Sequence, residues 1–426
     1  MKIRLNLVKY LANLPFAIIL LLTIAAFSIF GSIIEQDQSI TFYQAKYSEP
    51  IFGFIDSTFI LQIGLDHIFK TWWFISLLVL FGTSLTCCTF LQQLPALKSV
   101  RRIKFYQFDK MFTRLPINTK IAPKSNGKVI TVLNEKNYHV FQSRNIYYSN
   151  KGILGRVSPI IVHFSMVLIL LGTILASTSG FVAQELVPES EVFYVQNVLN
   201  NNINTFVPHI SGRVNDFWIS YNEDKSIKQF YTDLSLIDAN GKELKRETIY
   251  VNHPLKYQGL TFYQTDWNVL GLRVKYNDGL PYQIPVLKQP NNIWVSWIPS
   301  KLTDAENPDF QDGNILLDTV LTGTSLVYNN DGNLLGVSEL NEPFSSNESV
   351  QFIDLITETG IQIKADPGLP LIYLGFFLLI ISIITSYQSY SQIWVWPLGD
   401  GLNIAGTSNR SKFEFEFELL NLVLKM

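Results

Sequence analysis

The sequence predicts a polytopic α-helical membrane protein with four transmembrane helices and a large β-rich extramembrane domain between helices 3 and 4. Hydrophobic residues make up 47% of the 426 residues and charged residues only 16%, and the charges lie between four nearly uncharged runs. The longest interval between those runs, residues 180–367, carries many turn dipeptides and no long helical periodicity. These two observations together give the predicted fold class.

Each apolar run has about the 20 residues that a membrane-spanning helix needs. Trp72 and Trp73 open the second run, as aromatic residues commonly do at a membrane interface. The first run fits a cleavable signal peptide poorly, because such peptides have a shorter apolar core. The four predicted spans are Pro15–Ile34, Trp72–Leu91, Val157–Ala176 and Gly368–Gln388.

The distribution of charge predicts the orientation of the spans. Residues 93–157 hold thirteen basic and two acidic residues, whereas residues 180–366 hold twelve basic and twenty-four acidic ones. Since basic loops stay on the cytoplasmic side, we expect the first segment in the cytoplasm or stroma and the second on the opposite side. The predicted division of the chain is 1–92 (helix pair with a short lumenal loop), 93–156 (basic loop), 157–179 (third transmembrane helix), 180–367 (β-rich domain), 368–388 (fourth transmembrane helix) and 389–426 (cytoplasmic or stromal tail).

The β-rich domain is expected to be an antiparallel sheet or sandwich. Turn signals recur along it, because Asn, Asp and Gly tolerate positive φ in tight hairpins. They are Asn222-Glu223-Asp224, Asn240-Gly241, Asn277-Asp278-Gly279 and Asn330-Asp331-Gly332. In the tail, Phe and Glu alternate over residues 413–418, which is typical of an exposed edge strand or an interface segment.

His163 is the main candidate for chemistry, because an ionisable residue inside a span is costly and is a functional hypothesis by default. Ser158-Pro159 predicts the start of its helix, which would place the imidazole about 7 Å along it. A neutral imidazole is a common haem ligand, although a histidine hydrogen-bonded to a neighbouring helix is the alternative. A stripe of Ser165, Gly172 and Ala176 predicts close helix packing on the opposite face, so His163 is expected to face a partner subunit or a ligand.

The remaining histidines and the cysteines carry weaker signals. His67 precedes the second span and is expected at the opposite membrane surface, as an interfacial residue or, alternatively, a haem-related one. At that depth it could not ligate the same iron as His163. His139, His209 and His253 stand alone and are interpreted as surface or core residues. No Cys-x-x-Cys-His motif occurs, so the chain is not itself a c-type cytochrome. The adjacent Cys87 and Cys88 are interpreted as packing residues, with a redox role as the alternative.

The segment from Gly259 to Trp267 is unusually aromatic. Phe262, Tyr263 and Trp267 could form the core of a sheet, or an exposed surface that binds a partner protein. Both interpretations remain open from the sequence.

These segments resemble the ResB family, also called CcsB, of the system II pathway of cytochrome c maturation. The resemblance covers nearly the whole chain and its order of elements. It rests on Lys70-Thr71-Trp72-Trp73-Phe74, Ser158-Pro159-Ile160-Ile161-Val162-His163, Asn252 to Leu255, Gly259 to Trp267, Ala365-Asp366-Pro367-Gly368 and Gly406 to Arg410.

The resemblance implies a subunit that carries haem b across a membrane and presents it for covalent attachment to apocytochromes c, such as cytochrome f. It implies a CcsA-type partner with a tryptophan-rich haem-handling loop, together with thiol-reducing maturation proteins, and no nucleic acid. The subunit alone would not be catalytic and would form part of a holocytochrome c synthase. By position, the family's intramembrane histidine corresponds to His163, whereas His67 gains no support.

Composition rich in Ile, Asn and Lys, without a transit peptide, favours a plastid-encoded or cyanobacterial thylakoid protein with the large domain in the lumen. The alternative function is a membrane sensor or receptor with a ligand-binding outer domain and no haem. A transporter is disfavoured, because four spans without inverted repeats are unlike that class.

Overall fold

The computed structural model describes all residues except 1, 51–55, 122–125, 200–206, 209, 224–225, 277–278, 290–292, 300–312, 320–323, 329–330, 339–349, 399–400 and 426. The chain forms two units. The membrane unit comprises residues 1–177 and 368–426, and the β unit comprises residues 178–367.

In the part of the chain that the structure describes, four helices are long and apolar enough to span a membrane, with mean hydropathy between 2.1 and 2.5, as the sequence predicts. The second continues through a π-helical turn, Thr89–Gln93, into α6 and so runs from Trp72 to Arg101. The described α-helices are α1 (Lys2–Leu11), α2 (Leu14–Ile33), α3 (Ile40–Lys46), α4 (Ser57–Ile63), α5 (Trp72–Cys88), α6 (Leu94–Arg101), α7 (Asp109–Phe112), α8 (Asn126–Glu135), α9 (Leu154–Ser179), α10 (Leu369–Ser386) and α11 (Lys412–Lys425).

Among the described residues, the strands form four antiparallel sheets, one in the membrane unit and three in the β unit. They are β1 (Ile117–Ile121), β2 (His139–Ser143), β3 (Ile146–Lys151), β4 (Phe181–Pro188), β5 (Val192–Tyr194), β6 (Ser211–Tyr221), β7 (Ile227–Ile237), β8 (Glu243–Tyr250), β9 (Leu255–Tyr257), β10 (Leu260–Tyr276), β11 (Pro281–Pro285), β12 (Leu287–Gln289), β13 (Ile293–Pro299), β14 (Gly313–Thr319), β15 (Thr324–Tyr328), β16 (Leu334–Ser338), β17 (Val350–Ala365), β18 (Ser391–Leu398) and β19 (Gly401–Ser408).

The basic loop and the tail, which the sequence analysis treats as separate, fold into one sheet. Its strand order is β1-β19-β18-β3-β2, so strands from residues 389–426 lie between strands from residues 93–156. Helices α8 and α11 cover one face, and the aromatic residues Tyr148 and Trp394 are buried on the other. The sequence analysis gives no expectation of this sheet, because β3 and β18 lie about 240 residues apart in the chain and neither carries a local signal of the other.

Of the two alternatives for residues 413–418, the edge strand is wrong, since these residues belong to α11, and the interface segment stays a prediction. Phe415 is 3% exposed while Phe413 and Phe417 are 90% and 69% exposed. A strand would place all three rings on one face, whereas a helix separates positions two apart by about 200°. The helix buries Phe415, Leu419 and Leu422, which follow its 3.6-residue period.

Helix α9 begins at Leu154, four residues before the predicted start, and Pro159 lies inside it. Ser158 is therefore not an N-cap. Its hydroxyl lies 2.7 Å from the carbonyl oxygen of Leu154 and 2.8 Å from Oγ1 of Thr385 on α10. His163 consequently lies about 13 Å along the helix from its first residue, rather than the expected 7 Å.

The β unit lies in the chain between α9 and α10, and its sheets agree with the expected antiparallel sandwich. The sheet β11-β10-β17-β4, with β9 beside β10, packs on the sheet β5-β6-β7-β8 around a common apolar core. The Asn240-Gly241 signal is confirmed, because Gly241 adopts φ +81° between β7 and β8. The other three turn signals include residues outside the described part.

Candidate functional site: the His163 contact between two spanning helices

His163 on α9 faces the end of α5 and the π turn that follows it. Its Nδ1 lies 3.1 Å from Oγ1 of Thr89 and 3.3 Å from the carbonyl oxygen of Leu85. Its Nε2 lies 3.0 Å from Nε2 of Gln93. The expectation that His163 faces a partner subunit is therefore wrong for this side of the ring, which the chain covers itself.

The surroundings of Nδ1 determine which ring nitrogen carries the proton. The Thr89 hydroxyl uses its single hydrogen to donate to Leu85 O, at 2.9 Å. Thr89 Oγ1 and Leu85 O are consequently acceptors, so Nδ1 carries the hydrogen and donates to them. The Gln93 amide nitrogen is a donor that lies 3.3 Å from Nδ1 and 3.0 Å from Nε2, and with Nδ1 protonated it can donate only to Nε2. The Nε2 lone pair is then free to accept from the Gln93 amide or to bind a metal. This is the arrangement in which protein hydrogen bonds orient a ligating imidazole.

The only group on Nε2 among the described residues is the Gln93 side chain. Its Nε2 donates to the imidazole, and its Oε1 is buried without a hydrogen-bond partner. A buried, unsatisfied amide oxygen costs about 1–3 kcal/mol. Gln93 therefore covers the Nε2 lone pair of His163, although its own amide oxygen lacks a partner. The Gln93 side chain must move before Nε2 can contact any other group.

The opposite face of α9 packs against α10, as the small-residue stripe predicts. A Cβ added to Gly172 would lie 2.9 Å from Gly368 O and 2.7 Å from a side-chain atom of Ile372. Gly375 approaches the Ser165 backbone equally closely, and Ser165 is fully buried. This close contact allows α10 to cover one side of α9 while His163 is held on the other.

His67 has a different environment. It lies in a short 3₁₀ helix, Leu65–Lys70, and its Nδ1 is 2.9 Å from a carboxylate oxygen of Asp66. Its side chain is 45% exposed, and the described residues include no group of three or more His, Cys, Asp or Glu that could hold a metal ion. His139 is exposed, His253 stacks on Tyr250, and His209 lies outside the described residues.

The aromatic segment of the β unit divides between core and surface. Phe262 is 1% exposed in the core, so it cannot bind a partner as predicted. Trp267 and Tyr263 are half-buried, which keeps part of each ring accessible. The Trp267 ring packs between Phe230 and Trp294, with centroid distances of 5.4 and 5.2 Å.

Sequence reasoning missed Thr89 and Gln93. Both are polar residues at the end of the second apolar run, and they are four residues apart, which places them on one face of a helix. This spacing is the signal that could have identified them.

Comparison with known proteins gives the family. A model of the ResB-like family matches residues 14–281 and 281–420. The chain belongs to the ResB-like family. Among its relatives, "Cytochrome c biogenesis protein Ccs1" of Thalassiosira pseudonana is 48% identical over 98% of this chain and 99% of the relative.

Further members of the family come from another diatom and from a cyanobacterium. "Cytochrome c biogenesis protein Ccs1" of Phaeodactylum tricornutum is 44% identical over 97% of this chain and 98% of its own length. "Cytochrome c biogenesis protein CcsB" of Trichormus variabilis is 43% identical over all of this chain and 93% of its own length. The relatives thus match the chain over its membrane helices and its β unit alike.

Proposed function

We propose that this chain is a haem-carrying subunit of a complex that matures c-type cytochromes, with His163 as one axial ligand of haem b in transit. The observation that carries the proposal is the state of His163. Its Nδ1–H is fixed by Thr89 and Leu85, and its Nε2 lone pair is held only by the Gln93 amide among the described residues. The relatives' names support a role in cytochrome c biogenesis.

The residues around His163 fit this cargo. Haem supplies an iron that accepts a nitrogen lone pair. The chain's own contribution is to orient the imidazole through Nδ1 and to uncover Nε2 when the Gln93 side chain rotates. Among the described residues no second histidine contacts His163, so a CcsA-type partner would supply the other axial ligand. The complex would act as a holocytochrome c synthase, and this chain would not be catalytic alone.

The charge distribution supports an orientation with residues 93–156 in the stroma or cytoplasm and the β unit in the thylakoid lumen. There the exposed edges of Trp267 and Tyr263 would bind an apocytochrome, such as cytochrome f, or the partner's haem-handling loop. Thiol-reducing proteins would keep the apocytochrome cysteines ready for attachment.

The test is the haem content of the complex purified from its own membranes. His163→Ala should remove the haem and its absorption bands while the partner still copurifies. Added imidazole should restore part of the spectrum by filling the vacated position. His139→Ala is the matched control, because this exposed histidine should leave the spectrum unchanged.

A His163→Ala complex with unaltered haem would refute this proposal. A complex without haem bands in the wild type would instead favour the membrane sensor, which needs no haem.

A further inference from the structure

A cleft with basic and aromatic walls lies in the membrane unit, beside the start of α9. It has a volume of about 320 Å³ and lies between α6, the start of α9, strand β18 and the segment that follows α6. Its lining residues are Ala96, Ser99, Val100, Arg102, Lys104, Tyr106, Leu115, Arg156, Tyr390, Gln392, Trp394 and Thr407. Three are cationic and none is acidic, so the cleft favours an anion.

Two stacked aromatic rings form one wall of the cleft. Tyr106 stacks on Trp394 with their centroids 4.7 Å apart and their planes at 13°. The Trp394 indole N–H donates to Lys104 O at 2.8 Å and so holds the basic segment against the sheet. Burial raises the pKa of the Tyr390 phenol, as does its hydrogen bond with Tyr148, so the ring stays neutral at physiological pH.

Arg156 has a buried donor without an acceptor in the described part of the chain. Its guanidinium lies over the Tyr390 ring, 5.5 Å from the centroid, and its Nε is buried without a hydrogen-bond partner. In the described part of the chain, neither Arg156, Arg102 nor Lys104 forms a salt bridge. A buried guanidinium donor normally has an acceptor, and its planar fork suits a carboxylate or a phosphate.

The position of Arg156 relates this cleft to His163. Seven residues of helix separate them, which is about 10 Å along the axis and a rotation of only about 20°. They therefore share one face of α9. On the facing helix, Gln93 touches His163 and Ala96, three residues later, lines the cleft.

We propose that this cleft binds the propionate carboxylates of the haem whose iron His163 ligates. The inference rests on the function proposed above and adds the site that would bind the charged edge of the haem. If His163 Nε2 held a haem, Arg156 on the same face of α9 would be placed to bind its propionates. A volume of 320 Å³ is at the lower end of small-molecule sites and suits the carboxylates rather than a whole porphyrin. A lipid headgroup phosphate presents similar anionic oxygens and is the competing source.

The experiment compares haem with haem dimethyl ester, whose propionates carry no charge. Both are titrated, by absorbance, into the full-length protein purified with its copurifying partner. The wild type should bind haem on the order of tenfold more tightly than the diester, because hydrogen bonds to charged groups are lost in the ester. Arg156→Gln and Arg102→Gln should bind both ligands alike, at about the wild-type affinity for the diester.

Arg101→Gln is the matched control. It removes the same charge from the neighbouring position, which does not line the cleft, and should keep the preference for haem. Arg156→Lys retains a cation and should keep part of the preference. If Arg156→Gln does not fold, Arg102→Gln still tests the cleft, because Arg102 is exposed and its replacement should not disturb folding.

A preference for haem that persists in both Gln variants would overturn the cleft assignment, while loss of haem in His163→Ala would leave the proposed function standing. The lipid is tested in nanodiscs with and without phosphatidylglycerol. If Arg156→Gln loses copurifying phosphatidylglycerol but keeps its preference for haem, the cleft reads a lipid phosphate and the proposal is wrong.

Discussion

If His163 ligates haem as proposed, replacing Thr89 with Val should weaken haem binding, although Thr89 acts only through the imidazole. Valine keeps the shape of threonine but removes Oγ1, one of the two acceptors of the His163 Nδ1–H. Leu85 O remains, 3.3 Å from Nδ1, so the imidazole keeps its tautomer and loses part of its orientation. One such hydrogen bond contributes about 0.5–1.5 kcal/mol.

That free energy corresponds to roughly a twofold to tenfold loss of affinity. A tenfold loss equals the smallest loss of affinity usually seen when a residue that hydrogen-bonds to a metal-ligating side chain is removed. The assay is titration of haem into the purified complex, followed by absorbance, with the haem dissociation rate as a second measure. Restoring the hydroxyl with Thr89→Ser should recover most of the affinity.

Thr86→Val is the matched control, because the Thr86 hydroxyl makes the same kind of bond one turn earlier, to Gly82 O at 2.8 Å, without touching His163. Equal affinities in the two valine variants would show that the Thr89 contact does not orient the ligand. The hydrogen bond from Nδ1–H to Thr89 would then have no effect on haem affinity.

Three further predictions concern the rest of the chain. Phe415→Ala should destabilise the sheet of the membrane unit by about 3–5 kcal/mol and expose it to limited proteolysis, whereas Phe413→Ala should change little. Trp267→Ala should lower cytochrome maturation without lowering the amount of this protein in the membrane. Trp294 is 1% exposed, so Trp294→Ala should lower the amount of the protein itself. If the Trp267→Ala variant is lost from the membrane as completely as the Trp294→Ala variant, docking at Trp267 is refuted. In sealed, right-side-out membranes, protease should spare residues 93–156, and cleavage there would overturn the proposed orientation.

The features that the sequence predicted well are local ones. A span is recognised from the length of a single apolar run, so all four were found to within a few residues at most ends. The antiparallel character of the β unit follows from turn residues such as Gly241, whose positive φ is a property of one position. Close packing on one face of α9 was likewise readable from small residues at helical spacing.

The features that were missed depend on pairing between distant segments. Strand β18 pairs with β3 across more than 240 residues, and no pattern within either strand indicates the other. Residues 413–418 were misread because Phe and Glu alternate with period two, although the period of 3.6 that decides the structure appears only when Phe415, Leu419 and Leu422 are considered together.

The most consequential omission was the π turn, because it determines what faces His163. In a regular α-helix Gln93 would lie about 80° around the axis from Leu85, at about 100° per residue over eight residues. A π turn accommodates one extra residue, so Gln93 returns to within about 20° of Leu85, and both reach the imidazole. Nothing in the composition of Thr89–Gln93 marks such a turn. The sequence therefore identified the ligand candidate, but the residues that orient and cover it became visible only when α5 and α9 were seen side by side.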